Sequence, residues 1–203
     1  MDIDFSTLNA SQAYFAMTQT IVPRPIAWVL SQNANGSYNL APFSYFSALC
    51  SDPPLIGISI GKKTDGSLKD TRTNILERRY FVVHIAHAEQ LHTLNASAET
   101  LPTGISEVDK LELATTPLMD FPLPRLSDCR VAIGCELHSG MQLSETFTFM
   151  LGLVRRLYIA DSIVKNDGKG HFKLDTKALN PLSRLGAGEY ANFGEVIPLK
   201  SPL

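Results

Sequence analysis

Pro25-Ile26-Ala27-Trp28-Val29-Leu30, Ser31-Gln32-Asn33-Ala34-Asn35-Gly36-Ser37 and Tyr38-Asn39-Leu40-Ala41 follow one another without a break, with Pro42 just beyond. They read as a strand, a turn and a second strand. The first segment is β-branched and aromatic, and Asn35-Gly36 suits a hairpin turn because both residue types tolerate positive φ. Pro42 has no N–H to give to a ladder, so it breaks the second strand or places it at a sheet edge. No charged side chain stands between Arg24 and Asp52. The polar turn inside that run still excludes a membrane helix, which needs about 18 continuous apolar residues.

Downstream, residues 44–51 precede another strand, Pro54-Leu55-Ile56-Gly57-Ile58-Ser59-Ile60, which Gly61 closes. Lys62-Lys63-Thr64-Asp65-Gly66-Ser67 is a polar loop. From Leu68 the period changes to that of a short amphipathic helix, with Leu68, Ile75 and Leu76 on one face. Tyr80-Phe81-Val82-Val83-His84-Ile85 reads as a buried strand. Residues 87–117 mix helix and loop, with a short helix over residues 106–111. Residues 129–137 and 146–159 read as two long strands, and the tail after residue 175 is mixed. The tally is about six or seven strands with one or two helices, which favours a closed or partly closed antiparallel barrel over a doubly wound parallel sheet.

The 203 residues are 44% hydrophobic and 19% charged, which predicts one folded domain over residues 1–203. Lys and Arg number 18 against 20 Asp and Glu, a net charge of −2 that excludes a generally basic nucleic-acid binder. The start, MDIDFSTLNASQAYFAM, has no basic segment before an apolar one, so no secretory signal is expected. The three Asn-x-Ser sequons then carry no meaning, and a cytoplasmic location with no membrane partner follows. Cys50, Cys129 and Cys135 are too few for a disulfide framework. Cys129 and Cys135 would share one face of a regular strand, as buried hydrophobes.

The histidines are His84, His87, His92, His138 and His171. His84 and His87 lie three apart on or just beyond a strand, so they face opposite ways and do not jointly ligate a metal. There is no metal motif, serine-nucleophile elbow, Walker loop or GxGxxG. Two segments remain. Lys69-Asp70-Thr71 starts the helix, with Ser67 or Asp70 available as cap, and the helix dipole favours an anion there. With Lys62 and Lys63 nearby this reads as a monophosphate site, or else as a solvated basic loop with an ordinary cap. The run from Asn39 to Ala48 leaves a ladder at a proline beside aromatic rings. Such backbone suits a flat heterocycle, although a barrel strand with core aromatics would look the same.

In combination these segments carry a family pattern. Pro23-Arg24-Pro25-Ile26-Ala27-Trp28, Asn39-Leu40-Ala41-Pro42-Phe43-Ser44-Tyr45-Phe46, Ser51-Asp52-Pro53-Pro54, Lys69-Asp70-Thr71 with Asn74-Ile75, Tyr80-Phe81-Val82-Val83 and Pro181-Leu182-Ser183-Arg184 with Tyr190 resemble the flavin reductase-like, FMN-binding family, in order and at similar spacing. The resemblance implies a mainly β, antiparallel Greek-key split barrel of the FMN-binding type with peripheral helices, as a homodimer with flavin near the interface. It implies that Asn39, Leu40, Ala41, Pro42, Phe43, Ser44 and Phe46 line the isoalloxazine, flanked by Ser59, Ile60 and Gly61. It gives the phosphate to Lys69, Asp70 and Thr71, with Asn74 supporting that loop. Arg24, Arg184 and Tyr190 would neighbour the flavin or the interface. No side chain is expected to act as an acid or base.

Two departures bear on activity. His84 stands where many relatives have Asn. Phe147 and Leu153 stand where reductases of the family carry a polar pair at the nicotinamide site. The expected function is an FMN-dependent oxidoreductase of the NAD(P)H-using flavin or ferric reductase type, with slow use of the nucleotide. The alternative is an FMN-binding protein that serves as electron carrier or flavin store.

Overall fold

The computed structural model describes residues 1–166 and 172–199; His171 lies outside them. Seven strands form the main sheet: β1 (Ala27–Gln32), β2 (Tyr38–Phe43), β3 (Phe46–Ser51), β4 (Pro54–Ile60), β5 (Tyr80–His84), β6 (Val131–Gln142) and β7 (Thr148–Ile159). Their order is β2-β1-β5-β6-β7-β4-β3, with every neighbouring pair antiparallel. Around it lie α1 (Ala10–Thr20), α2 (Asp70–Arg78), α3 (Leu91–Ala96), α4 (Glu107–Lys110) and α5 (Thr176–Leu179).

The two rims of this sheet, β2 and β3, are consecutive in the chain and joined only by Ser44 and Tyr45. A flat sheet would hold such rims about 29 Å apart, at about 4.8 Å per strand gap. The three-residue step from Phe43 to Phe46 spans at most about 11 Å. The sheet must therefore curl until its rims nearly meet. They do not pair with one another, and a seam is left open. The Ser59 N–H donates to the Tyr45 carbonyl at 2.9 Å and ties the link to β4. This is a split barrel.

β1 is buried on both faces. Ala27 and Val29 belong to an interior cluster with Ile56, Ile58, Ile60, Phe81, Val83, Cys135 and Met150. Trp28 and Leu30 belong to an outer cluster with Leu40, Val82, Leu94, Val108 and Leu126, which the helices and loops cover. The indole N–H of Trp28 donates to the Ser97 hydroxyl at 2.8 Å, so its one polar atom is paired. The hairpin turns as expected, with Gly36 at φ +87. Pro42 lies inside β2, opposite Trp28, and β2 is an edge strand. Of the two fates open to that proline, the edge is realised.

Several expectations need correction. The α2 helix starts at Asp70, and Leu68 and Leu76 are exposed; the buried residues are Thr71, Asn74 and Ile75. A polar face is buried because the hairpin offers partners. The Asn74 amide donates to Ser31 at 3.2 Å and to Asn33 at 2.9 Å. Cys129 precedes β6 and packs in the outer cluster, whereas Cys135 packs in the interior one, so the two do not share a face. Both are buried, which pushes the Cys129 thiol up to about 12 and the Cys135 thiol higher still. Helix α1 went unforeseen. Its signal is the reciprocal cap between Asn9 and Gln12, inside a segment read only for its lack of a signal peptide.

His84 is buried between the Trp28 carbonyl and the Leu126 N–H, 3.0 Å from each. Its Nδ1 donates and its Nε2 accepts, which fixes a neutral tautomer, and burial pulls its pKa to about 4. His87 instead meets Glu89 at 2.5 Å. Among the described residues no group of three or more His, Cys, Asp or Glu is placed to hold a metal. No helix among them is long and apolar enough to cross a membrane.

Candidate functional site

The site is built on the rim strand β2. Its outer edge is covered first by α4: the Ser106 hydroxyl donates to the Tyr38 carbonyl at 2.6 Å, and Glu107 Oε2 accepts the Leu40 N–H at 2.9 Å. Two residues further, Pro42 has no N–H to offer, the cover ends and a cleft opens along the seam. Pro42 lines three adjoining hollows. One, of about 100 Å³, is bounded by Asn39, Lys63, Lys69, Asp70, Thr71 and Glu107. A second, of about 210 Å³, is bounded by Tyr14, Phe43, Ser44, Tyr45, Gly61 and Phe147. The third, of about 220 Å³, reaches Ile26, Asn95, Arg184 and Tyr190.

The first hollow is the polar end. Lys69 is the N-cap of α2, extended at φ −68 and ψ 139, with no side-chain cap. Neither expected cap serves. Ser67 bonds the Asp65 carboxylate through its N–H at 2.9 Å and its hydroxyl at 2.6 Å, and Asp70 pairs with Lys63 at 2.8 Å. The Arg72 and Thr73 N–H groups bond the Lys69 carbonyl at 3.0 and 3.2 Å. Asp70 and Thr71, which line the hollow, are left with backbone N–H groups that no side chain among the described residues caps, at the positive end of the helix dipole. Lys69 Nζ sits 5.4 Å from the Phe43 ring centroid. Burial holds its pKa below the ordinary lysine value, and the charge of Lys63 acts in the same direction. Thr71 is buried, and its hydroxyl oxygen accepts from Asn39 at 2.8 Å.

The second hollow is aromatic. Tyr14 from α1, Tyr45 from the seam and Phe147 form a ladder with centroids 6.3 and 6.4 Å apart. Gly61 keeps this wall thin, since a Cβ there would lie 3.1 Å from the Phe147 ring. On the far side of Tyr45 and Phe147 lies an open groove of about 480 Å³, lined by Met17, Phe46, Gly57, Leu143, Ser144 and Phe149 among others. None of the described residues that line it is charged.

The fold thus brings Asn39, Ala41, Pro42, Phe43, Ser44, Ser59, Gly61, Lys69, Asp70, Thr71, Arg184 and Tyr190 around one cleft. Leu40 and Ile60 are wholly buried in the core, and Phe46 lines the neighbouring groove. Asn74 sits beneath the cleft in the hydrogen-bonded set that anchors α2. Arg24 commits its guanidinium to the carbonyls of Thr18, Ile21 and Leu185, at 2.7, 2.5 and 2.9 Å, and so ties the end of α1 to the tail. Arg184 lies 4.4 Å over the Tyr190 ring, whose hydroxyl donates to Asn95. Phe147 reaches the cleft, but Leu153 is about 20 Å further along β7, opposite Leu55 and Glu136. Phe147 and Leu153, read as a pair in the sequence, therefore do not form one site. Tyr14 and Glu107 were missed because each comes from an element remote in sequence.

A family profile described as flavin reductase like domain matches residues 18–173. The chain is 33% identical over 207 residues to an uncharacterized protein of Halalkalibacterium halodurans, covering 100% of this chain and 97% of that one. Nitrilotriacetate monooxygenase component B from Bacillus cereus superposes with a TM-score of 0.89 at 29% identity, covering 98% of each chain. The 2-nitrobenzoate 2-nitroreductase of Pseudomonas fluorescens gives a TM-score of 0.89 at 28% identity, covering 100% of this chain and 96% of that one.

Proposed function

The chain belongs to the flavin reductase-like family, and from that premise we propose that it is an FMN-dependent oxidoreductase working as a homodimer. The observation that carries the reading is the uncapped N-terminus of α2, which opens, with Lys69 and Thr71, into the same cleft as the aromatic seam. A polar end for one phosphate beside an apolar end for a flat ring system matches the two ends of a flavin mononucleotide. The α2 N–H groups, the Thr71 hydroxyl and Lys69 hold the phosphate, while Asp70 keeps Lys63 in place. Phe43, Tyr45 and Phe147 exclude water from the ring system, and the proline gap in β2 leaves backbone rather than side chains beside it. A bound flavin supplies the hydride chemistry, and the protein contributes orientation and a dry, shaped site. Redox roles in the names of two solved neighbours support the same reading.

Titration of flavin-free protein with FMN and with riboflavin tests it. FMN is expected to bind more tightly, and Lys69→Ala to weaken it by about 1–3 kcal/mol. Equal affinity for the two flavins would remove the phosphate assignment.

A dimer follows from exposed apolar surface beside the cleft. Tyr14 and Phe15 on α1 are 57% and 58% exposed, and Leu49 and Leu143 flank the groove at 46% and 54%. Phe43 is only 7% exposed, belongs to the core and adds nothing to that surface. Contiguous apolar patches of this kind mark interaction surfaces. Light scattering that returns a flavin-loaded monomer would exclude the dimer.

A second reading, an FMN-binding electron carrier, is favoured by the uncharged groove beside Phe147, which offers no cation to the phosphates of a nicotinamide nucleotide. Steady-state NADH and NADPH oxidation with added free flavin separates the two readings.

A further inference from the structure

The phosphate end of the cleft holds more acid than base. Around it stand Lys63 and Lys69 against Asp70, Glu99 and Glu107. Lys63 is paired with Asp70 at 2.8 Å, and Glu99 with Lys110 at 2.7 Å. That leaves Lys69 as the cation and Glu107 as the carboxylate without a charged partner among the described residues of the hollow. Asp109 and Lys110 lie on the same short helix as Glu107, and β2, against which that helix packs, carries no charge. Glu107 is 6% exposed. One oxygen is fixed on the Leu40 N–H at 2.9 Å; apart from the residue's own backbone N–H, no other described residue hydrogen-bonds the carboxyl. A dianionic phosphate arriving here would meet a buried like charge.

Resting on the FMN reading above, we propose that Glu107 is a flavin-binding residue that takes up one proton from solvent as the phosphate enters and donates it as a carboxylic acid to a phosphate oxygen. A single O–H bond is made, on the oxygen that does not serve Leu40. The like charge becomes a hydrogen-bond donor, and the strand contact is kept. Burial already pushes the Glu107 carboxyl upward, with the help of Asp70 and against the Leu40 hydrogen bond, the residue's own backbone N–H and the Lys63 charge. A phosphate brings more negative charge than Asp70 does, and acts in the same direction.

Isothermal titration of flavin-free protein at pH 8, in two buffers of different ionisation enthalpy, reads the proton directly. Uptake of about one proton is expected with FMN and none with riboflavin. The FMN dissociation constant is expected to rise by up to about tenfold per pH unit between pH 7 and 9, with riboflavin flat. Glu107→Gln retains an acceptor for Leu40 and is expected to abolish both the uptake and the slope, and to bind FMN more tightly than the wild type at pH 9. If FMN binds more tightly than riboflavin without proton uptake, the proposal fails while the FMN reading stands. Uptake unchanged in Glu107→Gln places the proton elsewhere, Lys69 included, and also overturns it. Equal affinity for both flavins overturns the phosphate reading and this inference together.

Discussion

Asn39 donates one amide proton to the Thr71 hydroxyl oxygen at 2.8 Å and the other to Ser31 at 3.3 Å. Both residues are buried, and the contact joins the rim strand to the first turn of α2. Because Thr71 accepts from Asn39, its own proton is left for whatever enters the hollow. Thr71→Val is therefore expected to weaken FMN binding by about 1.5–3 kcal/mol, the range for a hydrogen bond to a charged group. Asn39→Asp should weaken it too, since a carboxylate would draw the threonine proton away from the ligand. Fluorescence-quenching titrations decide this, with riboflavin affinity expected to stay nearly constant. Equal losses for both flavins would show the contact to be merely structural.

His84 makes folding sensitive to acid. Its pKa in the folded chain is about 4 against an ordinary 6.5, because burial disfavours the charged ring. A group depressed in this way contributes its full stability above pH 6.5 and loses it as pH falls towards 4. The loss is roughly 2–3 kcal/mol by pH 4.5. Urea unfolding at pH 7 and pH 4.5 measures it. In His84→Asn the wild-type-minus-variant difference should shrink on acidification, because Asn does not titrate and the carboxylates that do are common to both chains. An unchanged difference would remove His84 as the source.

Two glycines separate rigid from yielding packing. A Cβ on Gly152 would lie 2.5 Å from the ring of Phe81, which is wholly buried, whereas one on Gly57 would lie 2.3 Å from Phe149, which borders the open groove. Overpacking costs about 1–3 kcal/mol where neighbours cannot shift. Gly152→Ala should fall at or above that range, and Gly57→Ala below it despite the shorter distance. Thermal unfolding of the two variants tests the order, and the reverse order would mean that the groove wall is stiffer than the barrel interior.

Reduction by a nicotinamide nucleotide should be slow. At its own position in the aromatic hollow Phe147 presents a ring rather than a hydrogen-bond donor to a carboxamide, and unpaired polar groups on a buried ligand lose binding energy that packing does not restore. Anaerobic stopped-flow mixing of FMN-loaded protein with NADH, then NADPH, should show saturation only at high nucleotide. Rapid bleaching of the flavin band at micromolar nucleotide would contradict this.

The barrel was legible where local chemistry and tertiary structure agree. Asn35-Gly36 turns the hairpin, and the Pro54–Ile60 strand appears with its expected limits. The helix face was misread because Thr71 and Asn74 are buried against polar side chains on a distant hairpin, which hydrophobic periodicity does not register. Of the residues that line the candidate cleft, those in two continuous segments, 39–45 without Leu40 and 69–71, stand together in the sequence as well. Tyr14 and Glu107 reach it only through packing of α1 and α4, and a residue type alone carries no trace of that.

The short link Ser44-Tyr45 also acts as a ruler. With only two residues between the rims of the barrel, the width of the opening is a matter of chain length rather than of side-chain identity. Substitutions along the wall change what the cleft prefers, while an inserted residue would let the rims drift apart and unseat ring and phosphate contacts at once. Loop positions usually tolerate added length well. This one is a loop by appearance and a dimensional constraint by function, so variation in this chain is expected to fall on the identity of its residues and to spare their number.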